Sequence, residues 1–142
     1  IVTLNDIDGS TSNYSYDKNG YLSKLTWGDD GNLQCTWDNG NLVNEHRTGS
    51  DPMEYNYEYT NYPAKQNIDI FAFVYGYCHV DDPEYLGVGG LLGKKNAHLI
   101  KSSTSQSEAH VTFSYELDGN GNPTKVTMTS ESETTTYKIL YK

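Results

Sequence analysis

The fold is decided by a stretch near the start of the chain, Tyr14-Ser-Tyr-Asp-Lys-Asn-Gly-Tyr-Leu-Ser-Lys-Leu-Thr26. Two aromatic residues flank a polar one and lead into an acidic residue and an Asn-Gly pair, after which an apolar-containing run follows. Glycine adopts positive φ at little cost and Asn tolerates it, so Asn19-Gly20 predicts a tight turn. The alternation on both sides is typical of half-buried strands. The stretch therefore predicts a β-hairpin.

The same unit recurs twice further along the chain. A shorter copy is Cys35-Thr-Trp-Asp-Asn-Gly-Asn-Leu-Val43, and a third begins at Phe113-Ser-Tyr-Glu-Leu-Asp-Gly and runs to Thr127. Their turns are predicted at Asn39-Gly40 and Asp118-Gly119. A repeated hairpin unit with short connections predicts a meander, in which consecutive strands pair.

Period-2 alternation divides the strand residues between an apolar, aromatic-rich face and a face of Asp, Glu, Lys, Ser and Thr. Antiparallel sheets with one buried face show this pattern, which also fits an apolar content of only 35%. We expect five residues of the first face to be mostly buried: Trp27, Trp37, Phe113, Tyr115 and Ile139. We expect four of the second to be mostly exposed: Lys24, Thr36, Thr112 and Glu116. The apolar face is predicted to end with Tyr137 and Tyr141.

The predicted fold is all-β, an antiparallel meander of about ten strands in one domain, residues 1–142. Hairpin repeats occupy 1–62 and 96–142, and an insertion of helix and loop occupies 63–95. The predicted strands are 1–7, 11–17, 21–27, 32–38, 41–47, 53–61, 96–103, 109–117, 124–130 and 134–141.

The insertion has no strand-like alternation. Ile68, Phe71, Ala72 and Tyr75 recur at helical spacing after a possible cap at Asn67, which predicts a short helix over 68–75. A buried strand is the alternative. The glycine-rich stretch 87–93 follows as a loop, because its spacing fits neither a P-loop nor a dinucleotide-binding turn.

The net charge of −9 argues against binding to nucleic acids or anionic membranes. The longest apolar run, 71–78, is far shorter than the roughly 20 residues of a membrane-spanning helix. A pore is disfavoured because the polar face could not contact lipid. The chain opens on Ile-Val-Thr-Leu with no basic segment, so the protein is either intracellular or has lost a leader. A monomer is expected.

No catalytic motif is recognisable, so an enzyme is not expected. Asp118–Asn122 resembles the start of a calcium loop, but Pro123 and Thr129 occupy the positions of its Gly and Glu, which favours an ordinary turn. His79 lies near three acidic residues, Asp81, Asp82 and Glu84, a pattern more typical of a solvated turn than of a metal site. No metal or cofactor is therefore expected.

The two cysteines, Cys35 and Cys78, have no metal-binding spacing. Cys35 alternates with Leu33 and Trp37, as a small buried residue would, and a disulfide between the two cysteines stays open.

A local binding site, if there is one, is predicted in residues 62–95. Aromatic faces stack on sugar rings, but most Tyr and Trp residues here share a face with Leu, Val and Ile and are expected in the core. The aromatic residues off that face, with the histidine among them, are the candidates for ligand binding: Tyr62, Tyr77, His79 and Tyr85. The alternative is that the helix plugs the open end of a curled sheet.

The hairpin units at 14–26, 37–42 and 113–127, with the segment 68–76, resemble two families. They are similar to the YD repeats of bacterial surface and toxin-shell proteins, and more closely to a domain of unknown function with a porin-like fold from Bacteroidetes cell-envelope lipoproteins. This resemblance implies a sheet curled like part of a barrel. It also implies an exported protein, periplasmic or on the outer surface and often lipid-anchored, although this chain contains no leader or lipid-bearing cysteine. It implies no activity and no functional residues.

Three functions are compatible with these observations. The first is a non-catalytic envelope domain that binds a glycan or a protein. The second is a small hydrolase that uses clustered carboxylates, since 19 acidic residues leave such pairs open. The third is a purely structural or assembly module.

Overall fold

A computed structural model describes residues 1–5, 11–27, 31–50, 52–65, 93–105 and 110–141. These residues form ten β-strands and contain no helix. The predicted helix over 68–75 lies outside them. The strands are β1 (Val2–Asn5), β2 (Thr11–Tyr16), β3 (Leu22–Trp27), β4 (Gly31–Asp38), β5 (Asn41–Gly49), β6 (Met53–Pro63), β7 (His98–Ser105), β8 (Val111–Leu117), β9 (Pro123–Thr129) and β10 (Thr134–Lys138).

All ten strands belong to one antiparallel sheet, in which each strand pairs with its neighbours in sequence. The predicted all-β meander is confirmed. The strands β1 and β10 are the two edges, and the sheet does not close on itself. Because alternate turns of a meander lie at the same end, the turns β2–β3, β4–β5 and β8–β9 share one end with the connection β6–β7. We call this the turn end.

Glycine conformations at the turns confirm two predictions and correct a third. Gly20 and Gly40 have φ of 87° and 79°, and Asn39 joins Gly40 in the left-handed region with φ 49°, as a two-residue hairpin turn requires. In the β8–β9 turn the glycine with positive φ is Gly121, at 81°, and not Gly119. Asp118 and Gly119 still lie in this turn, which the N–H of Gly121 closes by donating to Asp118 O at 2.9 Å, so only the position of the positive-φ residue differs from the prediction.

Four hairpins share one irregularity near the turn end, and it reveals a repeat unit. In each, one residue near the start of the second strand has no partner on the first strand and forms a β-bulge. The extra residues are Ser23, Val43, Lys101 and Thr124. The residues before them are Leu22, Leu42, Ile100 and Pro123, and we call their main-chain carbonyls the bulge carbonyls.

Each bulge carbonyl accepts a hydrogen bond from an aromatic side chain that follows its hairpin in sequence; three of the donors lie in strands, and Tyr141 lies beyond the end of β10. Every one of the four bonds is 2.7 Å long. The donors are Trp37 Nε1 to Leu22, Tyr59 Oη to Leu42, Tyr115 Oη to Ile100 and Tyr141 Oη to Pro123. Trp37, Tyr59 and Tyr115 thus pack their rings against the core, and all four donors satisfy the main chain where the bulge interrupts the ladder.

The apolar face forms the core. It contains eleven buried residues: Tyr14, Leu22, Leu25, Leu33, Leu42, Tyr55, Tyr57, Ile100, Val111, Phe113 and Val126. Trp27, Trp37, Tyr115 and Ile139 are partly exposed and pack against these residues. Lys24, Thr36, Thr112 and Glu116 are exposed, as expected. Tyr137 and Tyr141, predicted on the apolar face, are 37% and 48% exposed. Tyr137 lies on the edge strand β10, which has a neighbour on one side only, and Tyr141 lies beyond the end of that strand.

Candidate functional site

The turn end is organised by two aspartates that close equivalent turns. Asp17 Oδ1 accepts the main-chain N–H groups of Asn19 at 2.8 Å and Tyr21 at 2.9 Å. Asp118 Oδ1 accepts those of Asn120 and Asn122, both at 2.8 Å. These bonds favour the charged carboxylate. The bond from Tyr21 lowers the pKa of Asp17 most, and that from Asn122 lowers the pKa of Asp118 most.

Within the calcium-loop-like pattern at 118–122, the oxygens of Asp118 accept N–H groups of the turn itself. Across the part of the chain that the structure describes, no group of three metal-ligating side chains comes together. The cluster of His79 with Asp81, Asp82 and Glu84 lies outside the described residues.

The two described flanks of the β6–β7 connection, residues 64–97, are hydrogen-bonded to the β2–β3, β4–β5 and β8–β9 turns. Lys94 N donates to Gly20 O at 3.0 Å, and Ala97 N donates to Gly40 O at 2.9 Å. On the other flank, Lys65 Nζ donates to Asn120 O at 2.7 Å. The chain thus leaves the sheet and returns to it at the same end, with both described flanks bonded to the hairpin turns.

The contact between Gly93 and the first turn is especially close. Gly93 forms an isolated bridge with Tyr21 and has φ 71°. A Cβ atom at this position would lie 2.6 Å from Gly20 O, closer than van der Waals contact permits. This glycine is therefore required for the returning flank to lie against the β2–β3 turn.

A buried polar cluster fixes the same flank to β5 and β6. Asn96, only 1% exposed, accepts through Oδ1 the N–H of Leu42 at 2.7 Å, and the same oxygen lies 2.9 Å from Tyr59 Oη, whose one hydrogen it shares with Leu42 O. Beside it, Asn41 Oδ1 accepts the N–H of His98 at 2.9 Å, and Asn41 Nδ2 lies 3.1 Å from His98 Nδ1. Buried polar groups with satisfied hydrogen bonds define one geometry, so this cluster sets where β7 begins.

An aromatic pair with a lysine lies on the same end. The rings of Tyr21 and Trp37 are 4.6 Å apart between centroids and tilted by 31°. The ammonium of Lys94 lies 5.4 Å from the centroid of Tyr21, within the range of a cation–π contact. This surface can offer ring faces and amide groups to a ligand, the chemistry by which proteins bind sugars.

Of the four predicted site residues, the structure describes one. Tyr62 lies near the end of β6 with 51% of its side chain exposed, and its N–H donates to Thr60 Oγ1 at 3.1 Å. Tyr77, His79 and Tyr85 lie outside the described residues. Their joint placement with Tyr62 stays a prediction.

Sequence reasoning missed a buried carboxylate on the apolar face. Glu45 is 0% exposed and accepts the hydroxyl of Tyr57 at 2.7 Å. Its strand partners are Cys35, which forms no disulfide, and Tyr55. A regular hairpin built on the Asn39-Gly40 turn would place Asn44 opposite Cys35. The bulge at Val43 shifts the register by one, which turns Glu45 inward.

Two exposed carboxylates of the sheet, Glu58 and Glu116, are engaged in surface ion pairs. Glu58 accepts from Lys101 at 2.9 Å, and that hydrogen bond is the main reason why the pKa of Glu58 is lowered. Glu116 accepts from Lys125 at 2.8 Å. Exposed pairs of this kind contribute little stability. Neither arrangement is the pair of facing carboxyls that glycoside hydrolysis uses.

Comparison with known proteins gives a family and a fold. Residues 6–125 match the family described as "Domain of unknown function (DUF4595) with porin-like fold", which confirms the closer of the two resemblances. The likeness to YD repeats stays a prediction. No curated protein matches the chain. No helix in the described residues is long and apolar enough to cross a membrane.

Two solved structures of porin-like proteins are similar to this chain. The protein from Bacteroides uniformis ATCC 8492 shares 17% sequence identity with a TM-score of 0.67, over 95% of this chain and 61% of its own length. The protein from Bacteroides vulgatus ATCC 8482 shares 15% identity with a TM-score of 0.62, over 93% of this chain and 66% of its own. The chain thus spans less than two thirds of both proteins, and identity this low shows a shared fold alone.

Proposed function

The chain belongs to the DUF4595 family of domains with a porin-like fold, and we propose that it is a non-catalytic cell-envelope domain that binds a neutral glycan. Residues 62–95, whose described flanks are bonded to the hairpin turns of the turn end, carry the contacts. A neutral ligand is favoured because a chain with net charge −9 repels acidic glycans. The porin-like description of the solved relatives supports an envelope location.

One observation supports this proposal above the others. The sheet is a regular repeat of bulged hairpins, and both flanks of its single long connection in the described fold are hydrogen-bonded to the turns of the other repeats. Binding residues are commonly carried by loops that a rigid scaffold positions. The half-buried ring pair of Tyr21 and Trp37 beside those flanks supplies the aromatic surface that sugar rings prefer.

The test combines a glycan array with four single variants: Tyr62→Ala, Tyr77→Ala, His79→Ala and Tyr85→Ala. Thr112→Ala, on the exposed polar face away from the turn end, is the matched control. We expect the wild type and the control to bind a neutral glycan, and at least one variant to lose that binding without a change in thermal stability. Binding that survives all four substitutions would refute the assignment to residues 62–95.

The same array separates the competing functions. Cleavage of a bound glycan would favour a hydrolase. Absence of glycan binding, together with capture of one defined envelope protein, would favour a protein-binding domain. Absence of both would favour a structural module.

Location is tested on the full-length gene product. We expect it in the envelope fraction, and we expect a lipid-anchored form to partition into the detergent phase. Recovery only from the cytoplasmic fraction would refute export.

A further inference from the structure

Asn-Gly pairs occur in the three short turns of the turn end, at Asn19-Gly20, Asn39-Gly40 and Asn120-Gly121, and all three asparagines are exposed. Such a pair can rearrange chemically without an enzyme, because glycine has no side chain to shield its main-chain nitrogen. The glycine nitrogen attacks Cγ of the asparagine. A new C–N bond closes a succinimide ring, the Cγ–Nδ2 bond breaks, and Nδ2 leaves as ammonia with the proton that the glycine nitrogen loses.

Water then opens the ring by adding to one of its two carbonyl carbons. Opening at one carbonyl gives aspartate, and the main chain is as before. Opening at the other gives isoaspartate, in which the main chain runs through the former side chain and is longer by one atom. Deamidation at such a turn therefore adds a negative charge and can also change the path of the backbone.

Two of the three turns hold the glycine nitrogen in a hydrogen bond. Gly20 N donates to Asp17 O at 3.1 Å, and Gly121 N donates to Asp118 O at 2.9 Å. The carboxylates of the same two aspartates accept further N–H groups of their turns. Attack by either glycine nitrogen therefore requires a turn to open and several bonds to break together.

The β4–β5 turn lacks this protection. Within the residues that the structure describes, the N–H of Gly40 donates to no acceptor. Asn39, at φ 49°, is the only non-glycine residue with positive φ in the same part of the chain, a conformation that costs energy in a residue with a Cβ atom. The side chain of Asn39 donates to Asp38 Oδ2 at 3.1 Å, an exposed bond that water can replace.

We propose that Asn39 is a site of spontaneous deamidation in the folded protein, whereas Asn19 and Asn120 are protected. The nitrogen of Gly40 can attack without first losing a hydrogen bond, and ring closure relieves the left-handed conformation of Asn39. This inference does not depend on the proposed glycan binding.

The modification acts on the contact between the β4–β5 turn and the returning flank of the β6–β7 connection. Gly40 O accepts the N–H of Ala97 at 2.9 Å. A Cβ atom on Gly40 would lie 3.2 Å from the Cβ of Ala97, so turn and flank are already closely packed. One additional main-chain atom directly before Gly40 displaces its carbonyl, and the bond to Ala97 is lost. Aspartate at position 39 leaves the backbone path and this bond unchanged.

The experiment compares deamidation of the wild-type chain in the folded state and in guanidinium chloride, both at neutral pH. Peptide mapping by mass spectrometry gives the rate at each of the three asparagines, and the unfolded chain supplies the rate set by local sequence alone. We expect folding to slow deamidation of Asn19 and Asn120 at least about tenfold more than that of Asn39, the effect of one retained hydrogen bond. If folding protects Asn39 as much as the other two, or more, the proposal is wrong.

The effect on the flank is measured on the aged chain. Anion-exchange chromatography isolates the deamidated protein, and peptide mapping gives its isoaspartate content. Asn39→Asp is the matched control, since it has the same charge and an ordinary main chain. We expect the amide hydrogen of Ala97 to exchange with deuterium at least about tenfold faster in the isoaspartate form than in the wild type and in Asn39→Asp. Equal exchange in all three proteins would overturn the inferred loss of the contact with the flank.

Discussion

The aromatic hydrogen bonds to the bulge carbonyls should contribute measurably to stability, and Tyr59→Phe is the most informative test. This substitution removes only the hydroxyl, which lies 2.7 Å from Leu42 O and 2.9 Å from Asn96 Oδ1. A net hydrogen bond contributes about 0.5–1.5 kcal/mol, and a buried acceptor left without its donor adds to the loss. We therefore expect Tyr59→Phe to lower the free energy of unfolding by about 1–2 kcal/mol.

Two further variants test how the loss of stability depends on burial when the hydrogen-bond length is the same. Tyr115 and Tyr141 donate over the same 2.7 Å, to Ile100 O and Pro123 O, but Tyr141 is 48% exposed. Water can replace the exposed bond, so we expect Tyr115→Phe to cost about 1 kcal/mol and Tyr141→Phe less than about 0.5 kcal/mol. Tyr62→Phe, at an exposed position, should be neutral and serves as the control.

The assay is equilibrium urea unfolding followed by tryptophan fluorescence, with thermal unfolding as a second measurement. For a domain of this size 1 kcal/mol corresponds to about 3–4 °C in Tm. Tyr59→Phe should therefore lower Tm by about 3–8 °C. A Tyr59→Phe protein within about 0.5 kcal/mol of the wild type, or a larger loss in Tyr141→Phe, would refute the argument.

Three other perturbations test the turns and the buried carboxylate. Gly121→Ala should lower the free energy of unfolding by about 1–2 kcal/mol, because the φ of Gly121 is 81°. Gly119→Ala should change Tm little, because a Cβ at this position would meet nothing within 4 Å. Equal effects of the two substitutions would contradict the turn assignment. Glu45→Ala should cost about 2–4 kcal/mol in urea unfolding because the Tyr57 hydroxyl loses its acceptor and a cavity forms, and Glu45→Gln should cost less. The pKa of Asp118 is lowered, so the ionised carboxylate contributes stability that is present above its unfolded pKa of 3.8 and lost as the pH falls through its folded pKa. Asp118→Asn should therefore make the free energy of unfolding depend less on pH in the acid range. A dependence equal to that of the wild type would contradict this prediction.

The strands could be predicted because the information that sets them is local. An Asn-Gly pair between alternating segments specifies both the turn and the faces of the flanking strands, as at Asn39-Gly40. The inward residues Leu33 and Phe113 followed directly from this alternation. Gly119 and Gly121 were both compatible with the β8–β9 turn in sequence. The choice depends on how Asp118 accepts the N–H groups of the turn, which spacing alone does not specify.

The bulges could not be predicted from the sequence, and therefore the register of β5 could not be predicted either. A bulge depends on the packing and hydrogen bonds of neighbouring strands, such as the bond from Tyr59 to Leu42 O. One extra residue at Val43 reverses every face assignment beyond it, which is why Glu45 and Arg47 turn inward. The guanidinium of Arg47 then lies 5.4 Å from the ring centroid of Trp27. A charged residue on an otherwise apolar face gave no signal in a sequence that lacks clear alternation over 41–47.

The candidate site was only partly predictable for the same reason. The loss of alternation between Pro63 and Lys95 predicts an insertion between the hairpins, and its described flanks are bonded to the hairpin turns. The bonds that fasten this segment join residues distant in sequence, such as Asn96 with Leu42 and Lys65 with Asn120. No local pattern encodes such a contact.

The β6–β7 hairpin explains how a long connection fits a regular sheet. The β6–β7 hairpin has the same bulge as the other three, so residues between Tyr59 and Ile100 stand where other repeats carry a tight turn. There are 40 such residues, against five between Tyr16 and Leu22. An eightfold longer loop costs only about 2 kcal/mol in closure entropy. The buried bonds of Asn96 and the main-chain bonds of the flanks are of the size needed to offset this cost. The sheet can therefore hold a long, chemically distinct segment at one turn without altering the strands that support it.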